Sequence, residues 1–354
     1  MTGRDIFSDA SSKWTEGVGP NADIVISSRV RLARNIKNVP FPHMLSEDKE
    51  KEILDSVKYI INTPGFREKA GNFNFISLHV LSDLEKWVLV EKHLISPQLA
   101  QSQGQKGVII LEDESVSVMI NEEDHLRIQC LLPAMQLNEA WTLTNKIDDA
   151  LEQSLDFAFH KEKGYLTSCP TNVGTGMRAS VMLHLPGLVL TRQGYQVFAT
   201  MTQIGLTVRG MYGEGSEALG NLFQISNQVT QGLTEEEIIS HLNSVTLQVV
   251  DQERNARQML HQEAKEQLED RVWRAYGVLS NARSISSQEA MELLSELRLG
   301  IDMKIIQDID PKVFNKLMVS IQTSFLQKKI QTDMQSPQRD IIRATTIREI
   351  LSKV

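Results

Sequence analysis

Five arginines, Arg29, Arg31, Arg127, Arg178 and Arg209, and three glutamates, Glu122, Glu123 and Glu214, have the side-chain types that phosphoryl transfer needs. That reaction asks little covalent chemistry of a protein. It asks that the triphosphate charge be neutralised and the acceptor held in line. Arginines meet the first demand with a rigid fork of donors. If the acceptor is a guanidinium, two carboxylates meet the second through charge-assisted hydrogen bonds. One of them must act as base, because a guanidinium holds its proton until the N–P bond forms.

The elements that carry these residues are readable from their patterns. Asp23–Arg34 begins as a β-branched strand whose two-residue period sets Ser27, Arg29 and Arg31 on one face and Val30 and Leu32 on the other. Two arginines on one strand face repel, so a polyanion or an acid is expected over them. Ser115–Ile120 and His125–Cys130 alternate around an acidic turn, Asn121–Asp124, and read as a hairpin with Arg127 on its polar face. Tyr165–Val181 is a loop rich in small residues, with Cys169, Gly174, Gly176 and Arg178. Its glycines are expected to let backbone amides approach a ligand, and Cys169 is a possible thiolate beside an arginine. Thr207–Glu217 reads as a strand feeding a Gly-rich loop that holds Glu214.

Other signatures are excluded. Gly174-x-Gly176-x-x-Ala179 fits the dinucleotide fingerprint by letters, but the preceding segment is too polar for a buried strand, and no acid follows at the required distance. The chain has no Gly-x-x-x-x-Gly-Lys-Ser/Thr loop and no His-Arg-Asp or Asp-Phe-Gly motif. With 354 residues, two domains are expected, and a net charge of −8 argues against a general nucleic-acid binder. No run reaches membrane-span length, no signal-peptide core is present, and two cysteines make no disulfide framework. A cytoplasmic protein is expected.

Around these motifs, residues 1–22 read as a loosely held lead-in, 46–62 as a helix capped by Ser46, and 137–160 as one helix. Residues 189–203 have helical character, and Phe223–Asn227 is a short strand or turn. From Thr234 a capping box opens a helical pattern over 235–277, continued at 286–300, 310–329 and 337–352. A catalytic domain over 23–252 and a helical domain over 253–354 are expected.

Ile26–Arg34, Asn121–Arg127, Ser168–Ala179 and Val208–Glu214 resemble, in order and spacing, the phosphagen (guanidino) kinase family. The resemblance implies an α+β fold, an antiparallel sheet flanked by helices, with the helical domain following. It implies Mg2+ and an ATP site drawn from Ser27, Ser28, Arg29, Val30, Arg31, His93, Arg127, Arg178, Ala179, Ser180, Val181, Met182 and Arg209, with Gly210, Met211, Tyr212, Gly213 and Glu214. It further implies that Glu123 and Glu214 hold and deprotonate the acceptor, with Cys169 beside it and Glu122 able to share the base role. The arginine strand begins by residue 24, so the substrate-enclosing domain that precedes it in small-guanidine kinases is expected to be missing. Tyr212 and Gly215 replace the basic residue and histidine usual in that loop.

With its helical C-terminal region, the chain is similar to the bacterial protein-arginine kinases of that family. There Arg339-Asp340-Ile-Ile-Arg343-Ala344 matches a phosphoarginine-binding motif, although by itself the Asp340/Arg343 spacing reads as a plain helix pair. That resemblance implies homodimers used for dimerisation through the 253–354 domain, a zinc-binding activator protein, and delivery of marked proteins to a Clp protease. A kinase for free arginine and a non-catalytic phosphoarginine adaptor are the alternatives.

Overall fold

The computed structural model describes residues 6–210, 219–330 and 334–353. Its strands are β1 (Val25–Arg34), β2 (Phe73–Ser77), β3 (Gly107–Leu111), β4 (Val116–Ile120), β5 (Leu126–Pro133), β6 (Phe159–His160), β7 (Gly164–Tyr165), β8 (Met177–His184), β9 (Leu206–Gly210) and β10 (Leu222–Asn227). Eight of them form one antiparallel sheet in the order β2-β3-β4-β5-β1-β8-β10-β9, and β6 and β7 form a separate hairpin.

The register of this sheet sorts the side chains. Arg31 faces Gln129 of β5 and Arg178 of β8, Arg29 faces Ser180, and Gln224 of β10 faces Arg209 and Met182. Directly opposed residues of antiparallel strands share a face, so all these polar groups point the same way. The other face carries Val30, Leu32, Val118, Ile128, Cys130, Ala179, Val181 and Ile225, all buried.

Helices α1 (Glu47–Ile60), α2 (Pro64–Ala70), α3 (Asp83–Glu91), α4 (Pro97–Gln101), α5 (Leu137–Glu152), α6 (Pro186–Leu190) and α7 (Gly194–Gln203) flank the sheet. Ser46 caps α1 through the Lys49 amide, as its sequence leads one to expect. Ile147 and Leu151 of α5 and Leu242, Val249 and Ala256 of α8 (Glu235–Glu263) join the apolar face in one core. Residue 252 lies inside α8. Beyond it come α9 (Lys265–Asn281), α10 (Ser287–Asp302), α11 (Lys312–Ser320), α12 (Thr323–Ile330) and α13 (Ser336–Leu351), which close a second core over Leu131 and Leu222 at one end of the polar face.

Three local expectations need correcting. The helix expected over 137–160 stops at Glu152, and Phe159–His160 begins the small hairpin, since Ala158 is drawn away to pair with the Asn35 carbonyl. The helix expected over 235–277 breaks at Ala264, whose ψ of 34° is not helical. The lead-in is not loose over its described part. Trp14 is 1% exposed, and its Nε1 donates to the Lys92 carbonyl, because a buried indole needs both apolar contact and an acceptor.

Candidate active site

β1 brings Arg29 and Arg31, β5 brings Arg127, β8 brings Arg178 and β9 brings Arg209. All five, with His93, line a single cavity of about 580 Å³. Strand alternation places them there, and the register fixes their spacing. Arg29 donates from Nη2 to Gln224 Oε1 at 2.6 Å and from Nε to Ser180 Oγ at 3.3 Å. Arg31 lies directly across from Arg178, and its Nε is buried with no hydrogen-bond partner among the described residues.

So much like charge is costly. Burial, then Arg127 and Arg178, pull the Arg29 guanidinium down to about 10. Burial, then Arg29, Arg127 and Arg178, pull Arg31 well below the ordinary arginine value, with Glu122 opposing. Guanidinium groups crowded and buried in this way suit the cavity to a polyanion, whose charge would relieve their repulsion. His93 has a left-handed φ of 60° at the end of α3, stands edge-on to Trp14 at 5.3 Å, and is held down to about 4 by burial and by Arg29. It faces the cavity as a neutral imidazole.

A second cavity, of about 310 Å³, is lined by Gln98, Ser102, Glu122, Glu123 and Arg127. Arg127 and Gln98 belong to both. The two adjacent glutamates differ in their surroundings. Glu122 accepts from Arg127 Nη1 with both oxygens, at 2.7 and 2.6 Å, and from Ser96 Oγ at 2.5 Å. That ion pair ties Glu122 to Arg127. Glu123 is exposed, and the part that is covered, followed by Asp124, raises its pKa above the ordinary carboxylate value.

The loop carrying Cys169 is braced to this acidic turn. Buried Asp124 accepts on Oδ1 from Asn35 Nδ2 at 2.6 Å and from the Ser168 amide at 2.7 Å, while Asn35 Oδ1 accepts from the His125 amide at 2.9 Å. Cys169 itself is half-buried, with Sγ 3.0 Å from Thr171 Oγ1. Replacing Asp124 with Ala would strand two donors, so a loss of about 1–3 kcal/mol in urea unfolding is expected. A drop of about tenfold in kcat/KM should accompany it, about 1.4 kcal/mol of misplacement. Asp124→Asn, which keeps an acceptor oxygen, should recover most of both.

Not every expected residue reaches the cavity. Ser27, Ser180 and Met182 share the arginine face without lining the space, whereas Gly210 does line it. Ser28, Val30, Ala179 and Val181 point to the opposite face. Ser28 Oγ donates to the Ala134 carbonyl and accepts from the Gln136 amide. Met211, Tyr212, Gly213 and Glu214 lie outside the described residues. Gly174 and Gly176 have a packing reason of their own. A Cβ on Gly176 would meet the Ala33 carbonyl at 2.7 Å, and one on Gly174 would collide with the Thr230 carbonyl, so the fold itself requires both. Gln224, Trp14 and Trp87 also line the cavity and were not expected. The polar alternation Gln224-x-Ser226 was a usable signal for the first; nothing local marks the tryptophans.

In the C-terminal region, Arg343 is 2% exposed. It donates to the Ile321 and Ile285 carbonyls at 3.0 Å each and to Asp340 Oδ1 at 2.5 Å. Arg339 is half-buried, with Nη1 donating to the Met334 carbonyl at 2.7 Å, and Ala344 is buried.

An antiparallel sheet thus presents an arginine-lined cavity beside a carboxylate turn, an arrangement able to hold a polyanion next to a cation. Residues 52–256 match the model of the ATP:guanido phosphotransferase C-terminal catalytic domain, and residues 265–354 that of the protein-arginine kinase McsB C-terminal domain. The chain is 56% identical over 344 residues to a protein-arginine kinase of Moorella thermoacetica, covering 97% of this chain and 98% of that one. It is 50% identical to the protein-arginine kinase of Bacillus subtilis, covering 99% and 96%. Among solved structures, a duplicated taurocyamine kinase from Schistosoma mansoni with bound transition-state analogue components aligns with a TM-score of 0.59 at 23% identity. It covers 77% of this chain and 39% of that one. Lombricine kinase aligns at 0.56 and 21%, covering 71% of each. The chain belongs to the ATP:guanido phosphotransferase family, in its protein-arginine kinase branch.

Proposed function

We propose that this enzyme transfers the γ-phosphoryl group of ATP to arginine side chains of proteins. One observation carries the reading: Arg127 is a shared wall of the arginine cavity and the carboxylate cavity, where the phosphoryl donor and the guanidinium would meet. In this scheme Arg29, Arg31, Arg127, Arg178 and Arg209 neutralise the phosphates and hold the transferring group. Glu123, with Glu214, orients the guanidinium and removes its proton as the N–P bond forms and the bond to ADP breaks. Cys169 lies beside the acceptor. Mg2+ would be carried mainly by the nucleotide phosphates. Bound there, Mg2+ would neutralise phosphate charge.

A protein substrate fits the exposure of Glu123 and the naming of the relatives. By the same resemblance, Arg339, Asp340, Arg343 and Ala344 would bind phosphoarginine and activate the enzyme, and the modified proteins would go to a Clp protease. Homodimers, a zinc-binding activator and a cytoplasmic location belong to the same proposal. No helix among the described residues is long and apolar enough to cross a membrane.

The deciding experiment incubates the chain and Mg-ATP with a basic unfolded protein, and separately with free arginine, and follows intact mass. The expected result is an acid-labile gain of about 80 Da per site on protein arginine only. Product from free arginine alone would make it a small-guanidine kinase, and no product from either would favour the non-catalytic adaptor.

A further inference from the structure

The arginine cavity has a wall that comes from the C-terminal helices. Met318 and Val319 of α11 and Gln322 just beyond it line the space together with Trp87 and Val90 of α3. The cavity is therefore cationic where the strands line it and largely apolar where Trp87, Val90, Met318 and Val319 line it, with Gln322 and Glu91 beside them. A nucleoside triphosphate has the same division, and an apolar wall suits its base.

α3 and α12 are tied at two points. Glu91, which also lines the cavity, accepts on Oε1 from the Ser324 amide and on Oε2 from the Phe325 amide, each at 2.8 Å. Lys328 Nζ bonds Glu85 Oε1 at 2.8 Å. The first amides of a helix have no partner within it, and a carboxylate there meets both the donors and the positive end of the helix dipole. Here the cap comes from a different helix, more than two hundred residues earlier in the chain. Behind it, Arg343 Nε donates to the Ile321 carbonyl at 3.0 Å and fixes the turn between α11 and α12.

We infer that Glu91 is a positioning residue for the nucleotide. By capping α12 it holds the 318–322 corner as the wall that encloses the base, so the C-terminal helices complete the catalytic cavity. This rests on the reading of that cavity as the ATP site.

Hydrogen exchange of the intact chain with and without Mg-ADP separates the two ideas. The expected result is slowed exchange both in β1, β5 and β8 and in residues 318–327. Protection confined to the strands would overturn the wall, and protection nowhere would overturn the nucleotide reading itself. Glu91→Ala should lower Mg-ADP affinity and raise the KM for ATP by about tenfold, a larger change than in kcat, because one capping contact of about 1.4 kcal/mol is lost. Glu91→Gln, keeping one acceptor, should restore most of it. Unchanged affinity in a folded Glu91→Ala protein would overturn the assignment, and if that variant does not fold, exchange in the unaltered chain decides.

Discussion

Glu123→Gln is expected to lower kcat by about 10²–10⁴-fold, the range a positioned general base contributes, while the nucleotide dissociation constant moves by no more than about twofold. The split follows from geometry. Glu123 lines the carboxylate cavity and is absent from the lining of the arginine cavity. The amide fills nearly the same space but cannot take a proton. Stopped-flow or steady-state phosphotransfer, with calorimetry for Mg-ADP, separates the two quantities. A nucleotide affinity falling in step with kcat would remove Glu123 from the base role.

The same group is expected to set the acid side of the pH profile. Partial burial, then Asp124, raise the Glu123 pKa above 4.5. The base must be ionised to act, so kcat/KM should fall, as pH is lowered, sooner than with an ordinary carboxylate. His93 does not compete for this limb, since its pKa is held at about 4 and it is already neutral above that. In the Glu123→Gln protein the residual rate should have lost that limb.

Arg31→Met should lower kcat/KM by about 10³-fold, the cost of removing one well-placed cation from a phosphoryl-transfer site. The same change should raise the melting temperature of the ligand-free protein by about 2 °C, because function and stability conflict at this position. Arg31 stands directly across from Arg178, with Nε buried and unpartnered among the described residues, and burial together with three arginines disfavours its charge. Methionine keeps the unbranched stem and deletes that repulsion. Differential scanning calorimetry without nucleotide measures one effect and phosphotransfer the other. A fall in both would mean that Arg31 supports the fold instead of storing a cost that ATP relieves. Arg31→Lys should restore little activity, since an ammonium lacks the planar fork.

Much of this site was legible because a strand's alternation is local. Arg29 and Arg31 had to share one face, and Arg127 had to leave the hairpin on its polar side, whatever the strands paired with. Composition changed near Thr234, and a helical region follows there. The same locality misled where long-range partners decided the outcome. The glycines of the 174–176 turn suggested only a ligand, and no local pattern showed that they also make room for Thr230 and Ala33. Residues 1–22 read as polar and loose, yet in their described part Trp14 is buried against His93.

The sequence by itself thus determined the chemical inventory and the face on which each strand residue stands. Tertiary structure decided which faces meet. Register put Arg31 against Arg178, the Asn35–Asp124 brace put the Cys169 loop beside the acidic turn, and the Glu91 cap brought α12 to the cavity. It also separated two adjacent glutamates, turning Glu122 into the partner of Arg127 and leaving Glu123 exposed. Such pairings join residues up to 234 positions apart. Their energies depend on distance and burial, which no local pattern encodes.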